Sequence, residues 1–260
     1  MIHPTALIHP GAELADNVEV GPYAVIGEHV RIGRGTTIGA HAVIDRWTEI
    51  GEDNQIFHMA SVGAAPQDLK YKGEETWLKI GNKNIIREFA TLHRATTADT
   101  GVTVVGDDNM FMAYSHVAHD CRIGSNVIMA NSAALAGHVT VEDYVIFGGL
   151  TAVHQFARVG AHVMVGGGTL IGTDIPPYTI ATGGLRRDAQ LRGLNLIGLK
   201  RRGFSDETIS CLKRAYKILV LSGLKLPEAI ERIKREISPL PEINHFVEFM
   251  EHSKRGICRR

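Results

Sequence analysis

The chain has few cysteines, no excess charge and no long apolar run. Cys121, Cys211 and Cys258 are odd in number and show no metal-type spacing, so neither a disulfide framework nor a cysteine zinc site is written here. That pattern fits a reducing compartment. Lys and Arg number 28 and Asp and Glu 28, a formal charge of zero. The totals therefore suggest neither a nucleic-acid nor a membrane partner. No stretch approaches the ~20 apolar residues that span a bilayer. The opening MIHPTALIHP has neither a basic region nor the apolar core of a secretory signal. A cytoplasmic protein is expected. With 260 residues, 44% of them hydrophobic and 22% charged, the chain is long enough for one large or two ordinary domains.

What is present is a period of six. From Val105 the residues Phe111, Val117, Ile123, Met129, Leu135, Val141, Phe147, Val153, Val159, Val165 and Ile171 follow without a miss. A second run goes from Ile8 through Leu14, Val20, Ile26, Ile32, Ile38, Ile44, Ile50 and Ile56 to Val62, and a third is Ile80, Ile86 and Leu92. Two places before many of these stands a small or β-branched residue, such as Ser115, Cys121, Ala133 or Thr169, and glycine often follows. A helix repeats at 3.6 and a strand at 2, so six means a short strand and a corner, the signature of a β-helix coil. Residues such as Asn17, Gly35 and Asn126 suit corners because they tolerate positive φ. Three hexads make one triangular coil, so residues 18 apart stack, in about eight coils.

Two segments break the phase, near 63–79 and 96–104; long insertions in a regular scaffold usually carry function. The repeat ends after Ile171, and Asp174-Ile-Pro-Pro-Tyr178 closes the prism. This places the hexapeptide domain over 1–182, with a linker (183–203) and a small α-helical domain completing 183–260. The first helix is expected from its N-cap Ser205 to Leu221, the second with Pro227 at its first position, and the third over about 240–254. From Lys200 onward there are 14 Lys and Arg against 8 Asp and Glu, so this end carries +6 and the rest −6. A basic end suits an acidic partner or anionic substrate, or is a solvated helical face.

The 18-residue rule stacks His119, Gly137 and Gln155 in one column, with Asp120 and His138 in the next. His116 and His154 complete a cluster on one edge. One corner histidine usually faces solvent or packs; several together point to chemistry. A near-neutral imidazole is a good general base, Asp120 could orient His119, and the Gly137 N–H could meet an oxyanion. No Ser or Cys nucleophile motif is present, which favours direct acyl transfer to a hydroxyl over an acyl-enzyme. A histidine-held zinc is the rival reading.

The segments SHVAHDCRIG (115–124), LAGHVTVEDY (135–144), GGLTAVHQFARVGAHVMVGGG (148–168) and NLIGLKRRGFS (195–205), with the QDLKY loop, resemble bacterial UDP-N-acetylglucosamine O-acyltransferases, the first enzymes of lipid A synthesis. The resemblance runs over essentially the whole chain. It implies a mainly β fold with an α C-terminus, a left-handed parallel β-helix against the usual right-handed crossover rule. It also implies a homotrimer with sites between subunits, acyl carrier protein as donor, and neither cofactor nor metal. By resemblance His119 is the base, Asp120 its orienting partner and Gly137 the oxyanion donor. Asp68, Lys70, His116, His138, His154 and Gln155 would line the substrate pocket, and Asn195 and Arg201 would contact the nucleotide. Lys200 and Arg202 would dock phosphates or carrier protein, and Gly167 would leave room for a long acyl chain. Ile197 departs from the pattern, standing where a nucleotide-contacting glutamate is implied, and the linker before Asn195 is longer by a few residues. Four alternatives stay open: a 3-amino sugar as acceptor, the sister N-acyltransferase, a zinc-dependent hexapeptide carbonic anhydrase, and a non-catalytic scaffold. The sister enzyme carries a further N-terminal domain, whereas here the repeat starts by about residue 6.

Overall fold

A computed structural model describes residues 1–184 and 187–259, the side chains of 184, 187 and 188 excepted. The hexads become strands of mostly two residues, the first facing outward and the second inward. Successive strands fall on three different faces, and each pairs in parallel with the strand one coil away. Among the described residues this gives faces of nine, eight and ten strands, the ten including the closing hairpin. The inward residues stack into one apolar column, with Phe111, Val117, Met129 and Phe147 wholly buried. Only the first coil, at Ile8 and Leu14, stays partly open.

The register is 18 along most of the prism, as Val43 with Ser61 and His116 with Ala134 show. It lengthens twice: Ser61 pairs with Thr91, 30 residues on, and Thr91 with His116, 25 on. The insertions are narrower than the broken phase suggested. Strands Ser61–Ala64 and Trp77–Ile80 leave 65–76 as the first. Strands Thr91–His93 and Val102–Val105 leave 94–101 as the second. Both leave the prism at the same one of its three edges.

The edges differ in character, although the chain turns on a positive-φ residue about every six positions, one per edge in each coil. One carries Tyr23, Met59, Phe89, Tyr114 and Leu150, all between φ 57° and 62° and all exposed, an apolar ridge along the prism. A second carries Trp47, Asp120, His138, Phe156 and both insertions. The third is mostly polar, with Asn17, Asp53, Asp108 and Asn126. The sequence pointed to Asn and Gly at such corners, and Asn17, Gly35 and Asn126 are there. Bulky residues in the same conformation, which costs roughly 1–2 kcal/mol each, are the surprise.

Inside the third edge runs a ladder of buried asparagines, one per coil. Asn54 Oδ1 accepts from the Asn84 backbone N–H (2.9 Å) and Nδ2 (3.0 Å). Asn84 Oδ1 accepts from the Asn109 N–H (3.0 Å), and Asn109 Oδ1 from the Val127 N–H (2.7 Å). Their Nδ2 groups donate to the carbonyls of Gly81, Gly106 and Gly124. Corner amides and carbonyls that the strand ladders miss are thus satisfied by side chains that are themselves buried.

Among the described residues, the expected linker 183–203 holds strand and helix. Thr179–Gly184 and Arg187–Leu194 form an antiparallel hairpin that caps the last coil through Met164 and Ile180. It carries no hexad, because it pairs antiparallel rather than coiling. A short helix follows, α1 (Leu196–Arg201), capped by Asn195, which accepts from the Gly198 N–H. Helix α2 (Asp206–Leu221) starts on Ser205 as expected. Helix α3 (Leu226–Glu236) begins one residue before Pro227, and Glu228 reaches back to the Lys225 N–H (3.1 Å). Helix α4 (Pro241–Glu251) is shorter than expected because the chain then returns to the prism. There buried Asp174 accepts from the Arg158 N–H and Ser253 hydroxyl, and its backbone bridges Gly256 and Cys258. Among the described residues no disulfide joins the cysteines, and no helix is long and apolar enough to cross a membrane.

Candidate active site

The edge with both insertions gathers the histidines. His119 and Asp120 leave strand His116–Val117, and the positive φ of Asp120 (61°) turns its carboxylate back beside the His119 ring. His119 Nδ1 lies 2.8 Å from Asp120 Oδ2, and the Asp120 side chain is wholly buried. Burial raises the carboxyl's pKa, but hydrogen bonds from His119 and Thr96 outweigh it and hold the pKa below its ordinary value. Asp120 is therefore ionised and only accepts, which puts the imidazole proton on Nδ1 and leaves Nε2 as the basic nitrogen.

One coil on, Gly137 passes directly beneath that nitrogen. A Cβ at Gly137 would lie 2.6 Å from His119 Cε1 and 2.9 Å from Nε2, so only glycine lets the backbone run under the ring. His138 stands edge-on to His119 (centroids 5.3 Å), stacks on Phe156 (4.5 Å) and puts Nε2 3.7 Å from Asp120 Oδ2. His116 Nδ1 and Thr91 Oγ1 are 2.7 Å apart. His154 and Gln155 are exposed one coil beyond Gly137, with His154 Nδ1 3.2 Å from the Gln155 carbonyl. Asp68 and Lys70 sit on the first insertion, where Asp68 Oδ1 caps the Lys70 N–H (2.9 Å). They leave the same edge two coils before His116, about 10 Å along the axis.

The other residues named from the sequence lie elsewhere on the prism. Gly167 is at the apolar edge, where a Cβ would come 3.2 Å from the Gly149 carbonyl. Asn195 is at the polar edge, its side chain capping α1 and donating to the His162 carbonyl (3.0 Å). Lys200 and Arg201 are exposed on α1 near exposed Ile197, and Arg202 lays its guanidinium 3.9 Å from the Tyr144 ring centre. The 18-residue rule predicts only the histidine edge; it does not bring these residues to it.

The same rule missed His93, Arg94 and Thr96, because it fails across an insertion: residue 91 stacks on 116, not on 109. His93 is 4% exposed and packs edge-on to His116 (centroids 4.9 Å). Burial, then the neighbouring His116, His119 and Arg94, push its pKa down to about 4. Burial and Arg202 bring His162 down to about 4 as well. Both rings stay neutral in the fold, while in the unfolded chain they bind protons from about pH 6.5 downward. Stability should therefore be flat above about pH 6.5 and fall as pH drops toward 4, by about 1.4 kcal/mol per pH unit for His93 alone. Thermal melts from pH 8 to 4 measure this, and His93→Asn is expected to flatten part of the slope.

The ligand atoms of His119, Asp120 and His138 lie within 4.8 Å of one another, close enough for a metal ion. In the conformation present, however, Asp120 Oδ2 already accepts from His119 and from Thr96. The arrangement is that of an imidazole oriented through Nδ1, with Nε2 beside Gly137, suited to removing a proton from a hydroxyl.

The family profile described as Udp N-acetylglucosamine O-acyltransferase, Domain 2, matches residues 174–258, and the bacterial transferase hexapeptide profile matches 1–34, 11–46 and 103–137. The acyl-[acyl-carrier-protein]–UDP-N-acetylglucosamine O-acyltransferase of Trichlorobacter lovleyi is 65% identical over 99% of both chains. That of Thermodesulfovibrio yellowstonii is 56% identical over the same share. Among solved structures, the UDP-N-acetylglucosamine acyltransferase from Bacteroides fragilis superposes with a TM-score of 0.96 at 44% identity, covering 100% of both chains. The Francisella novicida enzyme gives 0.97 at 42%, covering 100% of this chain and 94% of its own.

Proposed function

The chain belongs to the acyl-[acyl-carrier-protein]–UDP-N-acetylglucosamine O-acyltransferases, left-handed β-helix enzymes, and from that membership we propose the reaction and its base. A 3-hydroxyacyl chain passes from acyl carrier protein to the 3-hydroxyl of UDP-N-acetylglucosamine, the first step of lipid A biosynthesis. The observation that carries this reading is His119 Nδ1 held by an ionised Asp120 while Nε2 lies over Gly137. Nε2 takes the hydroxyl proton as the oxygen attacks the thioester carbonyl. The tetrahedral oxyanion is met by the Gly137 N–H, and its collapse expels the carrier thiolate, which recovers the proton from the imidazolium. His116, His138, His154, Gln155, Asp68 and Lys70 are assigned to the sugar and the donor arm, Asn195 and Arg201 to the nucleotide. The exposed cations of α1, Lys200 first, suit anionic phosphate or carrier protein.

A homotrimer is part of this reading. The site residues occupy three edges of one prism, so they can meet only where one copy's edge faces another's. The exposed apolar ridge supplies a surface that self-association would cover.

The test is a transfer assay with purified protein, 3-hydroxyacyl carrier proteins of several lengths and UDP-N-acetylglucosamine, read by product mass. Acylated nucleotide sugar is expected. Product only with the 3-amino sugar would replace the acceptor. No product with either sugar, together with stoichiometric zinc, would replace the reaction class. In the same assay Gly167→Met is expected to shift the preferred chain shorter. Each excluded methylene removes about 0.8 kcal/mol, so two or more lost give about a tenfold drop in kcat/KM for the longest accepted chain. An unchanged length profile would remove Gly167 from the acyl path.

A further inference from the structure

The second insertion grips both the first insertion and the catalytic carboxylate. At its start stands Arg94, 1% exposed. Its Nη1 donates to the Gly63 carbonyl (2.6 Å) and to Asp45 Oδ2 (3.1 Å), and its Nε to the Tyr71 hydroxyl (3.1 Å). The Arg94 N–H donates to the Ala64 carbonyl (3.1 Å) and the Ala95 N–H to that of Trp77 (3.2 Å). Gly63, Ala64 and Trp77 flank the first insertion, and Tyr71 lies within it. The second insertion is therefore fixed at its root.

Two residues on, the chain turns along the axis to Asp120. The Thr96 N–H lies 3.2 Å from both carboxylate oxygens, and Thr96 Oγ1 donates to Oδ2 at 2.7 Å. Thr96 Oγ1 also accepts from the Ala98 N–H (3.2 Å), which fixes the direction of its hydroxyl. On the returning strand, Thr103 Oγ1 accepts from the Asp120 N–H (2.8 Å). Asp120 is thus held from the insertion, by Thr96, and from the strand that follows it, by Thr103.

The grip matters because Asp120 Oδ2 has two imidazole neighbours, His119 Nδ1 at 2.8 Å and His138 Nε2 at 3.7 Å. The last torsion of an aspartate is broad, so nothing in the side chain itself fixes its plane. We propose that Thr96 is a positioning residue for the His119–Asp120 dyad, and that insertion 94–101, rooted by Arg94, is the arm that keeps Asp120 on His119 rather than on His138. Thr96 is 5% exposed and acts only through Asp120. The inference rests on the general-base reading above.

A double-mutant cycle tests it. Thr96→Val keeps the shape and the N–H but removes the hydroxyl donor. It is expected to lower kcat about ten- to a hundredfold, the range seen when the partner of an orienting carboxylate or imidazole is removed. KM for the nucleotide sugar should stay within twofold, and Thr96→Ser should restore kcat to within threefold of wild type. In an Asp120→Asn background, Thr96→Val should cost less than a further twofold, because its route of action is already gone. Thr96→Ala, run in the same cycle, carries the same expectation if the valine crowds the turn and lowers the melting temperature. Full activity in the valine and alanine variants, or losses that multiply in the double variants, would overturn the arm while leaving the dyad intact. Full activity in Asp120→Asn alone would overturn the dyad, and the arm with it.

Discussion

His119→Ala is expected to lower turnover at least about a hundredfold while the melting temperature stays within a few degrees of wild type. A positioned general base contributes about 10²–10⁴ in rate, and in the proposed mechanism this ring is both the base and the group that Asp120 orients. The fold should survive because His119 lies at an edge, its side chain 15% exposed, and contributes nothing to the apolar column. Asp120 would lose one hydrogen bond but keep those from Thr96. His119→Gln sharpens the result, since a glutamine can still donate to Asp120 but cannot accept a proton. It should be as inactive as the alanine variant. Product formation read by mass under enzyme excess measures both, and a loss below tenfold in either would remove His119 from the proton transfer.

Asn84→Leu is expected to be the most damaging single change to stability. The leucine matches the branching of asparagine but is larger, and it makes none of its three hydrogen bonds. It strands the Asn109 N–H and the Gly106 carbonyl inside the prism, each at about 1–3 kcal/mol, so about 2–6 kcal/mol in all. Asn54 Oδ1 keeps the Asn84 backbone N–H and is not stranded. At about 2–4 °C per kcal/mol for a chain approaching this size, the midpoint should fall by roughly 5–20 °C. Each coil touches only its neighbours, so the damage falls between the coils that carry the insertions and reaches the chemistry through them. A thermal melt within 2 °C of wild type would show that the ladder is not what satisfies these corners.

The prism itself was legible because period six has one physical meaning, and from Val105 to Ile171 every step of six is an inward, buried residue. His119, Asp120, Gly137 and His138 were legible for the same reason, since no insertion lies between residue 105 and residue 171. His93 and Thr96 were not, because an insertion of unknown length hides which coil a residue joins. Strand Arg187–Leu194 falls within the expected linker 183–203, because antiparallel pairing leaves no hexad to read. The bulky corners, such as Leu150 at φ 60°, were unreadable for another reason: side-chain volume does not announce that a residue will be held in a conformation glycine prefers. The separation of Gly167 from the histidines follows from the spacing, since no multiple of 18 links it to Gly137; that of Asn195 does not, because the chain before it pairs antiparallel.

Loop-closure entropy draws one more consequence from the two stretched registers. A strand here meets its partner 18 residues on along most of the prism, and 30 and 25 residues on at the insertions. The entropy lost in closing a loop grows as (3/2)RT ln n, so stretching 18 to 30 adds only about 0.5 kcal/mol and 18 to 25 about 0.3. To the unfolded chain, any corner could lengthen at almost the same penalty, and contacts would remain local enough for coils to zip up in sequence. Folding is therefore nearly indifferent to where such loops emerge. Both emerge in successive coils on the edge that carries His119 and Asp120.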